Sequence, residues 1–330
     1  MGVSVARAPL CPCWKHGGPL LAGAAPVSRL AAGSFLRFKN HVTNRPLRSA
    51  CQPHCAGMRS FGGAAMRSRR KATAEKRPEA EYHDEFYDSL KLSDEDLIVA
   101  TEGFRQSLHA NPIGDMYACV LDKLGDYRGK KILDYGAGTG QIGVFFALTG
   151  AEVRGFDVSA KAVEVANRRA AINGVAPAAR FEVMTAEDLK YGNDEFDFAV
   201  GRWILHHLEK ENLPRCSGEL WRVLKKGGKA FFLEPLGHNP LIEWIRAHPV
   251  YSSGGYESDY ESTMKRHEIL TMGRLFEQTR IHEFHLLYML KRVIRARRIL
   301  KVLKTTDQIL FGAFPPLKRL CGECVIEFVK

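Results

Sequence analysis

In "ILDYGAGTGQIG", residues 132–143, an apolar run carries Asp134 and then enters a glycine-rich turn. Glycines at such a turn let the backbone approach a ligand closely, and the helix that follows presents the positive end of its dipole. The spacing fits two kinds of nucleotide. Gly138, Gly140 and Gly143 match the G-x-G-x-x-G pattern that seats a pyrophosphate. Asp134 with Gly136, Gly138 and Gly140 makes an acid-x-G-x-G-x-G series, which suits a nucleotide carrying a cationic group. A second acid, Asp157, ends another apolar run, where a carboxylate can accept hydrogen bonds from both hydroxyls of a ribose. It fits either ligand. Each acid also has the plainer alternative of a helix N-cap.

Charge separates the two ligands. A pyrophosphate on the turn would be repelled by Asp134 across a few ångströms of poorly solvated space. S-adenosylmethionine (AdoMet) has no phosphate and offers a cationic amine that the same carboxylate attracts. At this range the Coulomb energy is about 4 kcal/mol at a protein-like dielectric, so its sign outweighs the glycine spacing. Asp134 therefore favours AdoMet over NAD.

Proton transfer at neutral pH calls for histidine. His206 and His207 stand in "ILHHLE", and His238 in "EPLGHNP", both following apolar runs. His207 and His238 are the candidate bases, and His206 has the alternative of packing or capping. Arg202 and Trp203, just upstream, read as walls of a cofactor pocket.

The elements that must position these residues alternate from residue 131 onward. "KILDYGA", "EVRGFDV", "RFEVMTA", "FDFAVGR" and "KAFFLEP" read as strands. "TGQIGVFFALTG", "AKAVEVANRRAAING" and "LPRCSGELWRVLKKGG" read as helices between them, stopped at Gly150, at Asn173-Gly174 and at Gly227-Gly228. Repeated βα units of this length predict an α/β fold with a doubly wound, Rossmann-like, mostly parallel sheet. Two helices are expected before it, one opened by a Ser93/Asp96 capping box and one running from Pro112 to Gly125. After residue 235, helical pieces joined by "YSSGGYESDY" lead to two strand-like runs, "HEFHLLYML" and "CVIEFVK", the last expected to lie antiparallel. Between those runs, "KRVIRARRILKVLK" (291–304) holds seven basic residues and no acid. Val293, Ala296, Leu300 and Leu303 fall on one face of it, as in a helix lying on a membrane surface; the alternative is a solvated face packed on the domain.

The chain has 330 residues and a formal net charge of +11. Residues 1–74 hold twelve Lys and Arg and no acid, which leaves 36 basic and 37 acidic residues for the remainder. The basicity belongs to a leader rich in Ala, Gly, Ser and Arg, the composition of a transit peptide. Its Arg excess and "SRLAAGSFLRFKNHV" favour a mitochondrion, with a plastid as the alternative. The near-neutral remainder excludes a nucleic acid backbone as partner. Cys11, Cys13, Cys51 and Cys55 fall in the leader without a periodic segment to build a metal site, and no metal is expected. Cys321 and Cys324 read as ordinary reduced thiols. Four segments are expected: a leader (1–74), N-terminal helices covering the cofactor site (75–127), an AdoMet-binding core (128–235), and substrate-binding elements with the final strands (236–330).

With "LDYGAGTG", "GFDVSAKAVEVA", "MTAEDL", "FDFAVGRWILHHLE" and "ELWRVLKKGGKAFFLEP" in this order, residues 80–330 resemble the class I AdoMet-dependent methyltransferases, in particular their small-molecule group. The resemblance implies that Gly136 and Gly138 pass beside the methionine moiety, that Asp157 holds the ribose, and that Ala186 and Glu187 flank the adenine; Gly140, Val158, Asp134 and Arg202 are expected to bind the cofactor with them. Thr185 stands where the family often has an Asp. The residues after the fourth strand, "GRWI", are not the Asn/Asp-Pro-Pro-aromatic series of amino-methylating enzymes. The expected function is methylation, at oxygen or carbon, of a small hydrophobic acceptor such as a quinone, a lipid or a secondary metabolite. The alternatives are an NAD-linked oxidoreductase and a non-catalytic AdoMet-binding assembly factor. Peripheral membrane contact is expected through residues 291–304.

Overall fold

The computed structural model describes residues 79–101, 113–247, 262–292, 294 and 296–330. The leader and the "YSSGGYESDY" loop lie outside the described residues.

Seven strands form one sheet: β1 (Lys131–Tyr135), β2 (Glu152–Asp157), β3 (Ala179–Val183), β4 (Phe196–Arg202), β5 (Leu224–Pro235), β6 (Gln278–Phe284) and β7 (Glu323–Val329). Their order is β3-β2-β1-β4-β5-β7-β6, with β1 to β5 parallel and β7 antiparallel to both its neighbours. The order reverses between β1 and β4, the switch point at which an open α/β sheet leaves a crevice outside its carboxyl ends. An all-parallel dinucleotide sheet runs 3-2-1-4-5-6. Here the last strand, β7, lies antiparallel as expected, and it is inserted between β5 and β6.

The described helices are α1 (Glu79–Ser89), α2 (Asp94–Leu97), α3 (Gly114–Leu124), α4 (Gln141–Leu148), α5 (Ala160–Ile172), α6 (Leu213–Val223), α7 (Pro240–Ala247), α8 (Arg266–Met272) and α9 (Arg297–Ala313). Alternating side chains send each strand's bulk to both faces. Phe231 packs with Met116, Val144, Phe145 and Phe181 on one side. Phe232 packs with Tyr135, Phe156, Leu220 and Phe328 on the other. Burial of each such aromatic contributes about 1.5–3 kcal/mol. The apolar stripe of α5, which includes Ala162, Val165 and Ala166, covers the first core, and that of α6, with Cys216, Leu220 and Val223, covers the second.

Four elements depart from the sequence expectation. Of the run 282–290 expected as a strand, only its start lies in β6, which begins at Gln278 and ends at Phe284, and its end turns into the 3₁₀ segment Leu287–Arg292. The helix expected to end at Gly227-Gly228 ends at Val223, and β5 begins at once, because Leu224 pairs with Phe196 and the left-handed Gly227 (φ 73°) is absorbed in a register shift of that ladder. In the first N-terminal helix the Ser93/Asp96 capping box is present, but Ile98 is extended and only Asp94–Leu97 is helical; residues 102–112 lie outside the described part. The basic segment 291–304 is not one helix. Leu287–Arg292 is a 3₁₀ turn, held by Asp307, whose carboxylate accepts the backbone N–H groups of Leu286, Leu287 and Tyr288, and α9 starts at Arg297. Of the four residues expected on its apolar face, Leu300 and Leu303 are half-buried, Ala296 is the exposed N-cap, and Val293 lies outside the described residues. Among the described residues no helix is long and apolar enough to cross a membrane. Cys321 and Cys324 are buried and unbridged, and burial pushes both thiols up.

Candidate functional site

The glycine turn leaves β1 at the switch point. Gly136, Gly138 and Gly140 all have positive φ (68°, 51° and 71°), a backbone that other residues rarely adopt. A side chain on Gly136 would strike Ile204 from the loop after β4, and one on Gly138 would stand 2.8 Å from the Tyr87 hydroxyl of α1. The turn is thus shaped for close approach between β1, α1 and the β4 loop.

Two buried acids flank it. Asp134 Oδ2 accepts the Gly143 N–H at 2.9 Å, so the acid serves the first turn of α4 from the neighbouring strand. Gly143 is needed there for a packing reason: a Cβ would lie 2.7 Å from that same oxygen. Burial pushes the Asp134 carboxyl up to about 7, against the opposing pull of the Gly143 N–H and of Arg202. Asp157 Oδ2 accepts the Gly138 N–H at 2.8 Å and Oδ1 accepts the Ser159 N–H at 3.0 Å. Its carboxyl is likewise raised by burial, while those two N–H groups and the nearby His83 and His207 oppose the shift. Both acids combine the capping role with a place at the ligand edge, and each carboxylate has lone pairs beyond the one N–H bond per oxygen described.

Helix α1 closes over this edge. Asp84 accepts from the Ser159 hydroxyl (2.5 Å) and the Lys161 N–H (3.0 Å), sealing the N-terminus of α5. One turn earlier, Glu79 Oε1 lies 3.0 Å from His83 Nε2 and 3.1 Å from His207 Nδ1. Burial raises the Glu79 carboxyl, but the hydrogen bonds and charges of the two imidazoles outweigh it and hold it at about 2. An ionised carboxylate only accepts, so both ring nitrogens facing it carry protons. When His207 is neutral this places its lone pair on Nε2, the tautomer a base requires. Glu79, His83 and His207 also bring three donor atoms within 4.8 Å of one another, a set that could hold a divalent cation.

The other histidines have different surroundings. His206 is buried, and its Nδ1 lies 2.7 Å from Glu234 Oε2; Glu234 Oε1 accepts the N–H groups of Ile204 and Leu205. This pair shapes the β4 loop from β5. His238 Nε2 accepts the Arg266 N–H at 2.8 Å at the start of α8, and burial with the adjacent Arg266 and Lys265 lowers its basicity. The lone pair that would take a proton is engaged there, and no described contact joins His238 to His207.

Arg202 donates to the Tyr117 hydroxyl of α3 at 2.9 Å and lies 5.4 Å from the centre of the Trp203 ring. Val158 is half-buried beside Asp157; Ala186 is buried after β3, and Glu187 beside it accepts from Arg215 through its carbonyl. Sequence reasoning passed over four contributors. Glu79, Asp84 and Tyr87 sit on a short helix with no buried residue and no apolar stripe, so periodicity gave no signal. Arg169 is 1% exposed; its guanidinium donates to the Thr139 carbonyl at 2.7 Å and to the Leu97 carbonyl at 3.4 Å, tying the turn to α2. Its one signal is an arginine on the Ala-rich face of α5.

The sequence model of the family described as "Methyltransferase domain" matches residues 132–228. An uncharacterized methyltransferase of Synechocystis is 39% identical over 108 residues, 33% of this chain and 48% of the relative. A ubiquinone biosynthesis O-methyltransferase of Sodalis glossinidius is 30% identical over 146 residues, 44% of this chain and 55% of the relative. The chain thus spans about half the length of these relatives. Among solved structures, geranyl diphosphate C-methyltransferase from Streptomyces coelicolor, in complex with Mg2+, geranyl diphosphate and S-adenosyl-L-homocysteine, superposes with a TM-score of 0.47 at 18% identity, covering 69% of this chain and 83% of that one.

Proposed function

We propose that the chain, whose residues 132–228 match the methyltransferase-domain family, transfers a methyl group from AdoMet to a small, hydrophobic acceptor at oxygen or carbon. The observation that carries this reading is the glycine turn between two buried acids at the switch point, with Glu79 and His207 facing each other across the same edge. The cradle fits AdoMet: the glycines admit close approach, Asp157 offers lone pairs to a ribose, and Asp134, once it gives up the proton that burial favours, offers a charge to a cationic amine. AdoMet supplies a methyl group already activated as a sulfonium. What the chain adds is alignment, exclusion of water by α1, and a proton acceptor.

His207 takes the acceptor's proton on Nε2, and Glu79 holds Nδ1–H and balances the charge of the resulting imidazolium, the base-and-orienter arrangement of nucleophile-activating sites. The acceptor class rests on the relative named for ubiquinone biosynthesis and on the absence from "GRWI" of the amino-methylating series. A polyprenylated phenol is the first acceptor to try. The composition of residues 1–74 supports a mitochondrial location, with a plastid as the alternative; a fusion of residues 1–74 to a fluorescent protein tests this directly.

The test is calorimetric titration of the chain with AdoMet and, separately, NADH, followed by turnover with a panel of phenolic acceptors. Micromolar AdoMet binding that Asp157→Asn weakens, with methylated product, is expected. NADH binding in place of AdoMet would overturn the reading, and AdoMet binding without turnover on any acceptor would leave an assembly factor.

A further inference from the structure

Helix α9 packs one face on the domain. Leu300, Leu303 and Leu310 are half-buried, Asp307 is buried, and Lys304 pairs with Asp115 of α3. The face adjoining it is apolar and uncovered: Ile299 is 48%, Val302 63% and Ile309 66% exposed, and Phe314, just past the helix end, is 62% exposed. At 3.6 residues per turn, Ile299, Val302 and Ile309 lie within an arc of about 80°, so they form one stripe along the helix. This is not the stripe read from residues 291–304. Beside it, on the next arc, stand the exposed Arg298 and Lys301, and the turn that follows carries the exposed Arg319 and Leu320.

The charge of the region is one-sided. Between residues 291 and 322 the sequence has nine Lys and Arg and a single acid, Asp307, which is turned inward onto the backbone N–H groups of residues 286–288. The outward face of α9 therefore joins an apolar stripe to cations with no carboxylate among them. A second copy docking through the same face would bring these cations against their own kind. A nucleic acid backbone would match the cations and leave the stripe in water. An anionic lipid surface satisfies both, because apolar side chains enter the acyl boundary while Arg and Lys stay at the headgroups.

We propose that α9, with the Pro315–Leu320 turn, docks the protein on an anionic membrane surface. The proposal goes beyond methyl transfer and does not depend on it. The test is flotation of the full chain with phosphatidylcholine vesicles and with vesicles that also contain phosphatidylserine. Two variants are compared with wild type, Val302→Asp/Ile309→Asp and Arg298→Glu/Lys301→Glu; because these side chains face solvent, both should keep the wild-type melting temperature. The expected result is binding selective for the anionic vesicles that falls at least about tenfold in each variant. Equal binding to both vesicle types would overturn the proposal by showing that charge plays no part, and wild-type binding by either variant would overturn it by assigning attachment to the basic leader. A dimer in sedimentation that the Val302→Asp/Ile309→Asp variant abolishes would give the face to a second copy and equally overturn it.

Discussion

Two side chains at the site couple its function to pH, and each coupling can be measured. His207 as base predicts that His207→Ala lowers kcat on a hydroxyl acceptor by about 10²–10⁴-fold while AdoMet affinity stays within a few fold. Glu79→Gln keeps a hydrogen-bonding partner for Nδ1 but removes the charge that favours the imidazolium. The acid limb of kcat/KM should then move to lower pH, which lost packing alone would not produce. A chelator should leave the rate unchanged; a loss restored by added divalent metal would instead assign the Glu79, His83 and His207 cluster to a cation. Asp134 behaves differently. Its carboxyl is raised to about 7, so the folded chain holds that proton more tightly than the unfolded chain does. The stability this confers is full below the ordinary carboxylate range and is lost as pH rises through about 7. Asp134→Asn should therefore be more stable than wild type near pH 8, on the order of 1–4 kcal/mol, and show no gain near pH 4. The same proton must leave when a cationic amine arrives, so AdoMet affinity should rise between about pH 6 and pH 8, with proton release visible as a buffer-dependent heat. An affinity flat across that interval would mean that Asp134 serves only Gly143.

At the scale of elements, the sequence was most informative where one period governs a whole segment. The parallel strands β1 to β5, the helices α3 to α5, and the placement of the turn, Asp134 and Asp157 follow from apolar runs and their stops. It was least informative where a tertiary bond overrides the local pattern. Asp307 reaches back to residues 286–288 and breaks what reads as a continuous basic helix, and a ladder to Phe196 takes Leu224 from the end of α6. The same reason hid half of the site. Helix α1 buries none of its residues and owes its place to Asp84 and Glu79 meeting residues 75 and 128 positions away, which no local window contains. Arg169 shows how the elements are coupled, since one guanidinium holds both the turn at Thr139 and the end of α2 at Leu97. Arg169→Lys keeps the charge and loses the fork, so it should cost about 1–3 kcal/mol in chemical denaturation and weaken AdoMet binding through the turn. Unchanged stability with unchanged affinity would show that the turn is held by β1 alone.

For the molecule as a whole, the ligand edge is where its parts converge: Asp134 and Gly143 join β1 to α4, Asp157 and Ser159 join β2 to α5, and α1 reaches both α5 and the β4 loop. A ligand seated there binds only the folded chain, so its affinity appears as stability of the entire unit. At a hundredfold excess over Kd, AdoMet should add about 2.7 kcal/mol, which for a domain of this size raises Tm by roughly 5–10 °C. The distribution of charge then separates the two nucleotides first suggested by the glycine turn. Beyond the leader the chain is close to neutral and the turn is flanked by acids, so the attraction for AdoMet is short-range and partly buried, and the Tm shift should survive an increase in salt. A phosphate-bearing ligand held by the leader's cations would lose its effect with salt. A shift given by AdoMet, retained at high salt, absent with NADH and diminished in Asp157→Asn is the expected pattern. A salt-sensitive shift given by NADH would place the ligand on the basic leader or on a pyrophosphate site, and the assignment of Asp134 to a cationic amine would fall with it.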